Sequence, residues 1–173
     1  MKLAIVTTLA LAAGMAGALA QPAAAPTFEA PLIGPKGDTI GKIALRGGAD
    51  LTVVRITVNA GGLTPGWHGL HFHAVGDCSD TGQFQLSKGH VNHDASKHGL
   101  LNPEGPDDGD LPNLYASADG SANAEVVTDL TLTGEQGLRD ADGSALVVHA
   151  SEDDHSTQPI GNAGARVGCA VIK

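Results

Sequence analysis

Aromatic side chains, sulfur and positive charge are all scarce in this chain. Among 173 residues there are three Phe, one Trp, one Tyr, two Cys and two Met, with ten Lys and Arg against nineteen Asp and Glu. The formal net charge of −9 argues against a nucleic-acid binder, which needs a basic face against phosphate. A small anionic substrate is not excluded, because one cation in a concave site can dominate the local field. No repeat of 20–50 residues is visible. Beyond the first twenty residues no apolar run is long enough to cross a bilayer. With 42% hydrophobic residues the composition is not that of a disordered chain, and the length suits one domain with its own core rather than two.

The first twenty residues read as an export signal. Lys2 supplies a positive start, Leu3 to Ala13 is apolar apart from Thr7 and Thr8, and Ala18-Leu19-Ala20 is a small-residue cleavage site. A membrane anchor is the alternative, but the segment is short for a span. Cleavage would leave a chain from Gln21, with residues 21–26 as a flexible leader and 27–173 as the folded domain. An exported chain matures in an oxidising compartment, the periplasm in a bacterium. There the default reading of Cys78 and Cys169 is a disulfide, with two buried free thiols as the alternative.

Strand signals dominate the rest. Residues 51–58 (LTVVRITV) are rich in β-branched side chains between Gly47-Gly48 and Gly61-Gly62. Residues 124–132, 146–149 and 169–172 repeat the pattern between Gly and Asp turns. Short strands so punctuated predict an all-β sandwich or barrel. Residues 76–118 and 150–165 have no such periodicity, and loops this long in a compact domain are usually functional.

All eight histidines lie at position 68 or later. His71 and His73 sit two apart, so a strand points both imidazoles to one face, while His68 has the opposite parity. His90, His93 and His98 follow within nine residues, with Asp107, Asp108 and Asp110 beyond them. Imidazole with carboxylate suits zinc, and a metal would order a long polar loop. A solvated loop that merely contains histidines is the bland alternative. His149, ending an apolar run, reads equally as a hydrogen-bonded core residue. Arg166 reads as a surface arginine unless the cysteines pair and bring it near His71 and His73.

The runs HGLHFHAVGDC (68–78), GH (89–90), KHG (97–99), GDLPNL (109–114), LVVHA (146–150), GNAGARVGC (161–169) and the terminal VIK together make the chain resemble the copper/zinc superoxide dismutases, most closely the exported bacterial type, over about residues 27–173. The resemblance implies an eight-stranded Greek-key β-barrel, an immunoglobulin-like sandwich with a long metal-binding loop and an electrostatic loop. It implies one copper and one zinc per chain, and superoxide as substrate, disproportionated to O₂ and H₂O₂ by Cu(II)/Cu(I) cycling. His71, His73, His90 and His149 resemble the copper ligands, with His90 also bridging to zinc. His98 and Asp110 resemble further zinc ligands, Asp153 the carboxylate linking one ligand of each metal, and Arg166 the anion guide. Lys88 is a candidate for added positive charge. Cys78 and Cys169 resemble the intrachain disulfide. Monomer and homodimer both stay open, no membrane partner is expected after cleavage, and His155 has no assigned role. A metal store on the same barrel would lack a copper histidine or the arginine; this chain has all five.

One departure stands out. The family carries a third zinc histidine three residues before the aspartate of GDL, and here that position is Asp107. Asp107 could bind through oxygen, His93 could swing in, or zinc could be lost. His93 is the favoured expectation, because imidazole is the better zinc ligand and His93 is otherwise unexplained.

Overall fold

A computed structural model describes residues 24–173. The expected signal at 1–20 and the first half of the leader lie outside them. Nine strands follow in order: β1 (Thr27–Ile33), β2 (Thr39–Gly47), β3 (Thr52–Val58), β4 (Gly66–His68), β5 (Leu70–His73), β6 (Leu114–Ala116), β7 (Ala122–Thr128), β8 (Ser144–His149) and β9 (Arg166–Ile172). Seven form one antiparallel sheet in the order β5-β8-β9-β1-β2-β3-β7, and β4 pairs with β6 in a second. Among the described residues no helix is long and apolar enough to cross a membrane.

The expectation of eight strands differs from this by one break. Gly69 divides β4 from β5, donating its N–H to the Ser151 carbonyl while its own carbonyl accepts from His149 N, both at 2.8 Å. A Cβ here would lie 2.7 Å from Ala163 Cβ, so only glycine lets the electrostatic loop approach this closely.

Side-chain alternation builds the core. In β3, Thr52, Val54, Ile56 and Val58 face inward and Arg55 faces solvent. Val54, Ile56 and Val58 pack with Leu32, Ile43, Leu45, Phe72, Leu146 and Val148. Strand β8 is buried on both faces. Leu146 and Val148 enter the barrel core, while Ala145 and Val147 face outward into a small cluster with Phe84, Cys78 and Cys169. That second cluster is the underside of the long loop joining β5 to β6. Burying Phe84 alone stabilises the loop by about 1.5–3 kcal/mol. The two cysteines are bonded across it, 91 residues apart in the chain.

Register carries the histidines to that outer face. His71 pairs with Val147 and His73 with Ala145, so both imidazoles stand on the side the loop covers. The loop then folds back onto β5. His73 bridges His90 and His71 bridges Asp110, and Phe72 both donates to Gly109 O and accepts from Val91 N at 2.9 Å.

Candidate metal centre

Three imidazoles on the strands, those of His71, His73 and His149, each have one nitrogen tied to the protein and one left over. His73 Nδ1 donates to the Lys88 carbonyl at 2.8 Å. His149 Nδ1 donates to the Gly164 carbonyl at 3.0 Å. His71 Nε2 donates to Asp153 Oδ2 at 2.8 Å. These bonds set each tautomer and leave His73 Nε2, His149 Nε2 and His71 Nδ1 buried without a partner, as is His90 Nε2. The four rings gather: His90 lies 4.2 Å from His71 and 5.2 Å from His73 between centroids, and His149 lies 4.8 Å from His71. Burial lowers the pKa of His71 despite its bond to Asp153, and pushes His73 down to about 2 and His149 to about 3. The positive charge of Arg166 acts the same way on both His73 and His149. All three are therefore neutral at pH 7, the form that binds a metal.

A second set adjoins the first through His90. Ligand atoms of His90, His98, Asp107 and Asp110 all lie within 4.8 Å of one another, as do those of His71, His73 and His149. His90 Nδ1 is 2.9 Å from Asp107 Oδ2, and His98 Nδ1 is 2.5 Å from Asp110 Oδ1. His98 is fixed on its other side by Asp153 Oδ1 at 3.2 Å. Burial alone would lower the His98 pKa, but hydrogen bonds to Asp110 and Asp153 outweigh it and push it up to about 10. The Asp153 carboxyl is held far below the usual range, because hydrogen bonds from His71 and His98 overcome its burial.

His93 lies apart. Among the described residues no group able to hold an ion includes it. Its N–H and its Nδ1 both meet Asp108 Oδ2, at 2.5 and 2.9 Å, on the partly exposed rim of the loop. His93 thus lies outside the cluster, and Asp107 lies within it. His68, of opposite parity, is buried away from the set, its ring nitrogens 2.7 and 2.8 Å from the His149 and Thr64 carbonyls.

Arg166 opens β9, with Nη1 donating to Phe84 O at 2.6 Å and to Ser87 Oγ at 3.0 Å, and Nη2 to Lys88 O at 2.7 Å. Supporting residues went unread in the sequence. Asn113 clamps Asp153 by both backbone groups, accepting from its N at 2.9 Å and donating to its O at 2.8 Å. His155, unassigned from sequence, sits with Nδ1 3.5 Å from Asp153 Oδ2 and Nε2 3.1 Å from Asn113 Nδ2. The Asn in GDLPNL was a legible signal; the Phe84 and Lys88 carbonyls were not, since any residue carries one.

Fold and site together define an all-β protein with adjoining clusters of buried imidazole and carboxylate groups able to hold metal ions. Residues 39–172 match the family profile described as copper/zinc superoxide dismutase. The chain is 58% identical over 117 residues to a Cu-Zn superoxide dismutase of Caulobacter vibrioides, covering 65% of this chain and 67% of that one. It is 40% identical over 150 residues to one from Aquifex aeolicus, covering 84% and 85%. Solved structures similar to it include a SOD-like protein from Bacillus subtilis, with TM-score 0.77, 31% identity and coverage of 84% of this chain and 97% of that one. The Cu/Zn superoxide dismutase from Brucella abortus superposes with TM-score 0.68 at 28% identity, covering 86% and 100%. The chain belongs to the copper/zinc superoxide dismutase family, oxidoreductases whose cofactors are copper and zinc and whose substrate is superoxide.

Proposed function

We propose that His71, His73, His149 and His90 hold the copper, that His90, His98 and Asp110 hold the zinc, and that this pair of sites disproportionates superoxide to O₂ and H₂O₂. The observation that carries the reading is the four buried imidazole nitrogens without a partner in one cluster. A buried polar atom left unpaired costs about 1–3 kcal/mol, so four together mark a ligand site rather than a packed core. When bound, copper supplies the one-electron cycling that zinc lacks, and zinc orients the shared imidazole.

The protein's own groups do the rest. His90 Nδ1 faces Asp107, and its unpartnered Nε2 is the atom able to hold a proton and return it. Asp153 orients His71 and His98 together. Arg166, half-buried and pinned by three hydrogen bonds, attracts the anion and holds it in one orientation. Lys88, exposed and two residues from His90 in the chain, would add to the positive field. The bonded cysteines fit an oxidising compartment, and we place the exported protein in the periplasm, where it removes superoxide. A homodimer would bury the exposed Trp67–Tyr115 pair, whose ring centroids are 4.9 Å apart.

Elemental analysis of protein supplied with both metals is expected to give one copper and one zinc per chain, and chelator-stripped protein is expected to consume no superoxide. Stripped protein as active as the loaded form would overturn the reading. Arg166→Ala is expected to slow the reaction roughly tenfold at low ionic strength, the effect of one screened charge at close range. The wild-type rate should also fall as salt rises, with a shallower slope in the variant. An Arg166→Ala rate equal to wild type at low salt removes the guiding role.

A further inference from the structure

We propose that Asp107 is the fourth zinc ligand, giving a two-histidine, two-aspartate site, and that His93 takes no part. This rests on the metal-site reading above and concerns the one position where the chain departs from its family.

Backbone geometry points Asp107 inward. Residues 107–110 form a turn in which Asp110 N donates to Asp107 O at 3.1 Å, which brings the first and fourth side chains of the turn to the same side. The turn is locked from within. Asp107 N donates to Asp110 Oδ2 at 3.0 Å, and Gly109 N donates to Asp107 Oδ1 at 3.1 Å. Asp107 Oδ2 is then left facing His90 Nδ1 at 2.9 Å. The next carboxylate, Asp108, turns out to the rim and takes both His93 donors. Bringing His93 inward means breaking both of those bonds and displacing Asp107.

Charge points the same way. The side chains of Asp107, Asp110 and Asp153 are 5%, 1% and 0% exposed. Three buried carboxylates carry a formal −3 within one pocket. Buried charges persist when paired or when they coordinate a metal. A divalent cation offsets two of these three charges. With histidine at 107, the same pocket would carry one negative charge fewer.

The substitution thus exchanges neutral nitrogen for anionic oxygen. The site should bind zinc through charge as well as geometry, and its donor set should discriminate less sharply against oxygen-preferring divalent ions than a three-histidine set does.

The test uses full-length mature protein and three variants, Asp107→Asn, Asp107→His and His93→Ala. Zinc affinity is read by chelator competition, and the ligand field by the visible spectrum of the cobalt-substituted protein. Asp107→Asn keeps an oxygen for Gly109 N but removes the charge; zinc affinity should fall by about a hundredfold or more, beyond the loss typical of an outer partner. Asp107→His should keep tight binding and shift the cobalt bands, as one oxygen becomes nitrogen. His93→Ala should leave both affinity and bands unchanged. Melting separates ligand from scaffold: metal-free Asp107→Asn should melt no lower than metal-free wild type, while its gain in Tm on adding zinc shrinks.

A His93→Ala protein that loses zinc or changes its cobalt spectrum overturns the proposal, as does an Asp107→His spectrum identical to wild type. An equal fall in Tm with and without zinc in Asp107→Asn reduces Asp107 to a scaffold residue. Wild-type protein that takes up one copper but neither zinc nor cobalt overturns this site while leaving the copper reading intact.

Discussion

Replacing Cys78 and Cys169 together by serine is expected to destabilise the metal-loaded protein by about 4–5 kcal/mol, the chain-entropy cost of opening a closure that spans 91 residues. For a domain of this size that is a fall in Tm of roughly 10–20 °C. The bond does more than shorten the unfolded chain. It fastens the loop carrying Phe84, Ser87, Lys88 and His90 to β9, which carries Arg166, across the small cluster formed with Ala145 and Val147. The double variant should therefore lose activity before it loses its barrel. Thermal melting of both proteins, fully loaded, checks the magnitude. A fall of less than about 3 °C, under 2 kcal/mol, would show that the apolar cluster and Arg166 hold the loop without the bond.

Asp153→Ala is expected to weaken copper and zinc alike, by about 10–100-fold each, because one carboxylate orients a histidine of each set. Among the described residues no other carboxylate is hydrogen-bonded to both histidines: Oδ2 accepts from His71 and Oδ1 faces His98 and the His155 N–H. Competition titration of each metal separately is the measurement, and a loss confined to one metal would sink the bridging role. Gly161→Ala should reproduce the effect in weaker form. Gly161 has φ of +56°, and a Cβ there would overlap the Asp153 carboxylate.

Much of this was legible in sequence for a physical reason. The β-branched run of β3 and the apolar run of β8 are alternating or doubly buried patterns, which a linear reading detects well. The two-residue spacing of His71 and His73 needs only a strand to put both on one face. Strand β1 was hidden by Pro31, which lacks the N–H a ladder needs. It is tolerated because β1 meets β9 only at Ile33–Cys169, so that side of Pro31 has no pairing to lose. Strand β7 ends at Thr128, short of the expected Leu132, because Leu130 and Leu132 reach the core from a turn rather than a strand. The choice between His93 and Asp107 was beyond composition and spacing alike. It depends on which of two adjacent carboxylates a four-residue turn points inward, and donor quality, the criterion that favours His93, says nothing of direction.

One carbonyl oxygen, that of Lys88, accepts from both His73 Nδ1 and Arg166 Nη2. The proposed metal ligand and the proposed anion guide are thus referenced to a single atom on the covering loop. When that loop breathes, the displacement is common-mode: both groups shift together, and the gap between them, which the incoming anion must fit, changes far less than either position. Precision in this gap depends on a shared datum and not on rigidity of the loop, and because the datum is main chain, substitution of the lysine side chain leaves it in place.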